Sequence, residues 1–312
     1  MVGNTKKVFI DGSAGTTGLR IRERLSRRRD IELLALPDEL RKDDNARKEI
    51  INKSDIVFLC LPDDAARAAV AMIENDNTAV IDTSTAHRTE SDFAYGFPEL
   101  GEEFEEKIKN GKRIAVPGCH ASGFIALIYP LVKQGILGSD ALLSCYSITG
   151  YSGGGKKMIA EYEDENKDKL LFSPRTYALS QQHKHLKEMK AVCGLESAPI
   201  FVPIVDDFYS GMHVSIPLFV SELGCTVEDI KNIYKAAYGG PIVKYTEEFD
   251  EAGMVSAAKL SFKDGMEIAV LGNDERITLN ARYDNLGKGA SGAAVECLNI
   301  LLGADKTTGL DL

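Results

Sequence analysis

Short apolar runs alternate with longer polar stretches through roughly the first 115 residues, and this rhythm is the chain's strongest structural signal. It predicts strands at residues 7–11, 31–36, 56–61, 79–82 and 113–116. Helical patterns fall between them at 19–29, 41–53, 65–74 and 102–109. Strands and helices in alternation build βαβ units around a parallel sheet. Beyond Cys119 the pattern lengthens, with alternating segments at 141–149, 200–204, 212–220 and 267–283 separated by turn-rich sequence. That texture predicts an α+β domain around a mainly antiparallel or mixed sheet. The charged stretch 161–169 reads as an exposed helix or a mobile flap, and 290–302 as one last amphipathic helix. The arginine-rich run 20–29 reads as a solvated helix face.

Composition narrows the function. The 312 residues suffice for a large core and about two domains. With 44% hydrophobic and 27% charged residues, the composition is that of a soluble globular protein. With 37 Lys and Arg against 47 Asp and Glu, the formal charge of -10 argues against nucleic acid or an anionic membrane as partner. Small anionic substrates need only a local cluster of cations. Lys6 and Lys7 lead directly into Val8-Phe9-Ile10 without a secretory segment, and no stretch approaches the ~20 apolar residues of a membrane span. Six cysteines lie scattered at 60, 119, 145, 193, 225 and 297 with no CxxC pair. They read as free thiols in a reducing cytoplasm, with no disulfide frame and no metal site.

Gly12, Gly15 and Gly18 stand between the first strand and the first helix, in Asp11-Gly12-Ser13-Ala14-Gly15-Thr16-Thr17-Gly18. Glycines there permit a tight turn and close backbone approach, so that a pyrophosphate can sit on the helix N-terminus. A structural turn is the alternative; the position at the head of a βαβ series favours a dinucleotide. Asp38, about 20 residues after Gly18, could hold a ribose hydroxyl, whereas Arg41 and Lys42 could neutralise a 2′-phosphate.

Cys119 follows Pro117-Gly118 and precedes the mostly apolar run 123–132. At the first turn of a helix there, a thiolate would meet unpaired N–H groups and the positive dipole end. A buried structural cysteine is the competing reading. Histidine is the usual partner of a thiol nucleophile, and the chain offers His87, His120, His183, His185 and His213. His120 adjoins Cys119, but adjacent residues at a helix start point in different directions. His183 and His185, with Lys184 and Lys187, form a cationic cluster fit for an anionic substrate or a solvated helix start. Ser152-Gly153-Gly154-Gly155-Lys156-Lys157 can present backbone donors and charge to a phosphate or carboxylate, although it lacks the Walker spacing.

In this order, these fragments resemble the short form of the N-acetyl-gamma-glutamyl-phosphate reductases over nearly the whole chain. The resemblance rests on the glycine turn, on Leu59-Cys60-Leu61-Pro62-Asp63-Asp64, on Val80-Ile81-Asp82-Thr83-Ser84-Thr85-Ala86-His87-Arg88 and on Tyr95-Gly96-Phe97-Pro98-Glu99-Leu100. It continues through Pro117-Gly118-Cys119, its most specific match, then the 152–155 loop, His183-Lys184-His185 and 284–294. It implies a Rossmann-type parallel-sheet domain joined to an α+β catalytic domain of the aspartate-semialdehyde dehydrogenase and glyceraldehyde-phosphate dehydrogenase kind. The expected division is a dinucleotide-binding domain of residues 1–118 and 289–312 and a catalytic and dimerisation domain of residues 119–288.

By motif, the resemblance makes Cys119 the nucleophile and His185 or His183 the acid/base, His185 being favoured. It brings NADP to Gly12, Ser13, Gly15, Thr16, Thr17, Gly18, Pro62, Ser84, Gly153 and Asn285, with Lys288 beginning a helix that returns to the cofactor domain. It further implies arginine biosynthesis, a small acyl-phosphate substrate and a homodimer or homotetramer. Two departures stand out. Leu36-Pro37-Asp38-Glu39 replaces a Ser-Arg pair of longer relatives, and Tyr209-Ser210-Gly211-Met212 replaces their arginine-glycine step. The expected chemistry is attack of Cys119 on the acyl phosphate, reduction of the thioester, and protonation of the tetrahedral oxyanion by His185. Aspartate-semialdehyde dehydrogenase and the amino-adipate analogue of lysine synthesis share that chemistry. A cysteine–histidine hydrolase and a non-catalytic dinucleotide sensor are alternatives of other classes.

Overall fold

Short strands build the first sheet of this computed structural model, which describes residues 5–312. The order is β1 (Lys6–Asp11), α1 (Thr16–Leu25), β2 (Ile31–Leu34), α2 (Asp44–Lys53), β3 (Ile56–Leu59), α3 (Asp63–Ala71), β4 (Ala79–Asp82), β5 (Ala94–Tyr95), α4 (Glu102–Asn110) and β6 (Arg113–Ala115). The sheet runs β2-β1-β3-β4-β6-β5 and is parallel throughout. All of β3 is buried, which is why its sequence is a continuous apolar run without alternation. β2 stops at Leu34, where its ladder with β1 ends at the Phe9–Leu34 pair. It is therefore shorter than its apolar pattern. β5, two residues long, carries no periodicity to read. The chain leaves β1 on one side for β2 and returns on the other to β3. The carboxyl ends of β1 and β3 thus flank a topological switch point, where open α/β sheets bind ligands.

The second sheet is mixed. Its elements are α5 (Cys119–Lys133), β7 (Ser144–Gly150), α6 (Gly155–Glu163), β8 (Arg175–Thr176), α7 (His185–Cys193), β9 (Ile200–Asp206), β10 (Met212–Phe219), α8 (Val227–Ala237), β11 (Val243–Tyr245), β12 (Met266–Gly272) and β13 (Arg276–Tyr283). The strand order is β11-β12-β13-β10-β7-β9-β8, with β7/β9 and β11/β12 parallel and the other pairs antiparallel. The segment 267–283 is two strands of a hairpin: the Asn273 side chain accepts from the N–H groups of Glu275 and Arg276 and closes the turn. α5 lies against β10 and β13, and α8 against β12. Gly123 lets α5 come close, since a Cβ there would sit 2.6 Å from Val214 Cγ2. The opposite face leaves Tyr146, Ile200 and Phe219 exposed.

The last helix, α9 (Gly292–Leu302), follows a π-turn at Gly287–Ser291. It is buried on every side from Gly292 to Ile300, so the amphipathic expectation gives way to a core helix packed on α1 and β4. Its Asn299 accepts from Arg28, whose side chain is 5% exposed; the arginine run is therefore not wholly a solvated face. Contacts divide the chain into two compact units. One holds the chain up to Pro98, Glu103–Pro117 and Ser291–Gly309; the other holds Glu99–Glu102, Gly118–Ala290 and Leu310–Leu312. Among the described residues no helix is long and apolar enough to cross a membrane.

Candidate active site

In the parallel-sheet unit, β1 ends at Asp11, whose buried carboxylate is held by Arg47 at 2.8 Å. The chain then turns through Gly12 at φ +87°, where a Cβ would meet the Cys60 carbonyl oxygen at 2.2 Å. At Gly18 a Cβ would fall 2.5 Å from the Gly12 oxygen. Both positions therefore require glycine. Thr16 and Thr17 open α1, so its unpaired N–H groups emerge at the turn.

A cavity of about 450 Å³ adjoins Gly12 and Ser13 and is walled by Leu36, Asp38 and Arg41, with Arg22 from α1. Backbone donors at a helix start, an apolar wall and two guanidinium groups fit a dinucleotide with its phosphates. Arg41 is paired with Asp38 at 2.6 Å, and Lys42 is not on the wall. Arg22 was hidden in the arginine run, where no spacing singles it out. Leu61, and not Pro62, lines this cavity; Pro62 N-caps α3. Ser84 is buried, donating to Asp82 at 2.7 Å, and His87 shares that carboxylate at 2.7 Å while stacking on Phe93. Their place is in the loop after β4.

In the mixed-sheet unit, Gly118 caps α5 and Cys119 is its first residue. The turn is fastened from two sides. Glu188, buried on α7, accepts the Gly118 N–H at 2.8 Å, and the Tyr283 hydroxyl donates to the Cys119 carbonyl. Cys119 lines a cavity of about 170 Å³ with His120, Tyr177, His183, Lys184 and His185. The three imidazoles cluster, with centroids 5.6 Å apart for His120–His183 and His120–His185 and 4.7 Å for His183–His185. Although it adjoins Cys119 in sequence, His120 lines the same cavity, which corrects the expectation of divergent directions. His185 is 4% exposed and begins α7, so this is not a solvated helix start. Burial, then the neighbouring Lys184, pushes His183 down to about 4. Burial, followed by His183 and Lys184, pushes His120 down to about 3. Both are neutral near pH 7. Among the described residues no group of His, Cys, Asp or Glu could hold a metal ion.

Gly153 lies on the wall of the same cavity. Asn285 braces its loop, donating to Ser152 Oγ at 3.0 Å and accepting from Gly211 N–H at 2.9 Å. Lys288 is buried in a two-pronged ion pair with Glu99 at 2.7 Å. His213 pairs with Asn280 at 3.0 Å and is not on the cavity wall. Sequence reasoning missed Tyr177 and Glu188. A tyrosine in Arg-Thr-Tyr-Ala and a glutamate within a charged helix carry no pattern of their own.

Two family profiles match: "Semialdehyde dehydrogenase, NAD binding domain" over residues 7–110 and "Semialdehyde dehydrogenase, dimerisation domain" over residues 119–285. The chain is 46% identical over 309 residues to the N-acetyl-gamma-glutamyl-phosphate reductase of Allorhizobium ampelinum, covering 96% of this chain and 100% of that one. It is 44% identical over 307 residues to the enzyme of that name from Sinorhizobium medicae, covering 96% and 99%. Among solved structures, aspartate semialdehyde dehydrogenase II from Vibrio cholerae, complexed with ASA, shares the fold at a TM-score of 0.71 and 15% identity, covering 96% of this chain and 98% of that one. Aspartate semialdehyde dehydrogenase with NADP from Candida albicans gives a TM-score of 0.62 at 16% identity, covering 97% and 99%.

Proposed function

Because the chain belongs to the N-acetyl-gamma-glutamyl-phosphate reductases, within the semialdehyde dehydrogenase family, we propose that it reduces N-acetyl-L-glutamyl 5-phosphate to N-acetyl-L-glutamate 5-semialdehyde with NADPH, releasing phosphate in arginine biosynthesis. The observation that carries this reading is Cys119 at the start of α5, sharing one cavity with His183, Lys184 and His185. His185 takes the thiol proton, and the Cys119 sulfur attacks the acyl carbon. The C–O bond to phosphate breaks, leaving a thioester on Cys119, and His185 passes its proton to the departing phosphate oxygen. Lys184 offsets the charge of that anion. When bound, NADPH supplies the hydride that takes the thioester carbon to the aldehyde level. The Cys119–carbon bond then breaks, returning the electron pair to sulfur as the thiolate, and one proton taken up from solvent per turnover restores the thiol that began the cycle. Each backbone N–H turned to the tetrahedral oxyanion at the start of α5 contributes about 3–4 kcal/mol.

Gly12 to Gly18 and the first turn of α1 hold the pyrophosphate, and Arg22 and Arg41 flank the adenosine phosphate. Two copies of the chain pair through the open face of the mixed sheet, where Tyr146, Ile200 and Phe219 are exposed. The working location is the reducing cytoplasm, in keeping with six cysteines that form no disulfide. The test is a Cys119→Ser variant assayed for phosphate-dependent NADP reduction with the semialdehyde. Loss of turnover is expected; near-wild-type turnover contradicts the scheme. Parallel assays with aspartate semialdehyde separate the related activity, which is expected to be the weaker by orders of magnitude.

A further inference from the structure

Tyr177 stands on the cavity wall beside Cys119, yet nothing in the chemistry above uses it. Its hydroxyl lies 2.6 Å from His120 Nε2, and His120 Nδ1 lies 2.6 Å from Ser147 Oγ. These three side chains come from α5, β7 and the turn after β8, and they form a line ending at the cavity.

The direction of the line follows from counting protons. Ser147 is fully buried, and among the described residues its hydroxyl has His120 as sole hydrogen-bond partner. A buried hydroxyl proton without an acceptor is costly, so Ser147 donates to Nδ1. His120, neutral at working pH, then carries its single proton on Nε2 and donates it to the Tyr177 oxygen. Burial, and secondarily the nearby Cys119, keep the phenol protonated by raising its titration far above the ordinary range. With its oxygen already accepting from His120, and no other side-chain partner among the described residues, the phenol has one proton left for the occupant of the cavity.

We propose that Tyr177 is a further catalytic residue, donating a hydrogen bond to the acyl oxygen of the substrate over Cys119, with Ser147 and His120 as positioning residues that set the direction of that bond. This rests on the reductase reading of the pocket. As sulfur adds, the acyl oxygen gains negative charge, and a donor already oriented stabilises it without reorganising. The chain of donors also explains why a neutral histidine is buried next to the nucleophile, where a charged one would reverse the serine bond.

The test is a double-mutant cycle on the full-length protein with acyl phosphate and NADPH. Tyr177→Phe keeps the ring and removes the proton, and is expected to lower kcat by on the order of 10²-fold. Ser147→Ala touches no substrate. It leaves Nδ1 without a donor, lets His120 accept from Tyr177, and is expected to lower kcat roughly 3- to 10-fold with KM little changed. In the Tyr177→Phe background the serine change should cost nothing further. A Tyr177→Phe enzyme within threefold of wild type, or serine and tyrosine effects that multiply independently, overturns the proposal. Failure of the reductase reading looks different: the wild-type protein itself would release no phosphate from the acyl phosphate.

Discussion

The glycine turn of the parallel-sheet unit and the cysteine pocket of the mixed-sheet unit are built from different material. The turn uses backbone: Gly12 and Gly18 are forced by carbonyl oxygens of Cys60 and Gly12 that leave no room for a Cβ, and the N–H groups of the first turn of α1 open beside them. The pocket uses side chains: three imidazoles, a phenol and an ammonium group gathered from α5, the turn after β8 and the start of α7. Backbone recognition tolerates changes around it but not at the glycines. Side-chain chemistry tolerates backbone drift but depends on which atoms hold protons.

That contrast can be broken in order of severity. Cys119→Ser should lower turnover by on the order of 10⁴-fold or more, measured by NADPH oxidation with the acyl phosphate, while leaving cofactor titration unchanged. Gly12→Ala should do the reverse of a chemical lesion. It forces a Cβ onto the Cys60 carbonyl at a positive φ, and should lower unfolding free energy by about 2–4 kcal/mol and abolish cofactor quenching, read by denaturant titration and NADPH fluorescence.

A subtler test is the acid limb of stability. His120 titrates at about 3 when folded against about 6.5 when unfolded, so between those values the unfolded chain binds the extra proton. Its contribution is whole above pH 6.5 and is lost as the pH falls toward 3, at ~1.4 kcal/mol per pH unit. His120→Asn should flatten the stability profile by about one proton between pH 6 and 4; an unchanged slope in urea melts would mean the ring is charged in the fold. The smallest effect belongs to Asp38→Ala. Freeing Arg41 from its exposed ion pair should tighten NADPH by roughly threefold and weaken NADH, compared by fluorescence titration.

The same contrast explains what was legible from residues alone. Gly12, Gly15 and Gly18 are a local signal, because the turn that needs them is made by consecutive residues. The continuous apolar run of β3 and the alternation of β10 were readable for the same reason. The pocket is a long-range construction. Ser147, Tyr177 and Glu188 reach Cys119 and its neighbours only through the pairing of β7 with β9 and the packing of α7 on α5, which no window of sequence encodes. Arg22 failed to stand out because six other arginines or acids crowd α1 and its exit, and only the fold decides which faces the cavity. The last helix misled for a further reason: its polar Glu296 and Asn299 mimic a wet face but are buried.

A covalent acyl group on the Cys119 sulfur can be caught by mass spectrometry after mixing the protein with acyl phosphate in the absence of NADPH. One equivalent of phosphate released per chain is expected, with a mass increase of one N-acetylglutamyl group on the peptide bearing Cys119. Phosphate release without that adduct, or an adduct on another cysteine with Cys119 unmodified, would contradict the scheme.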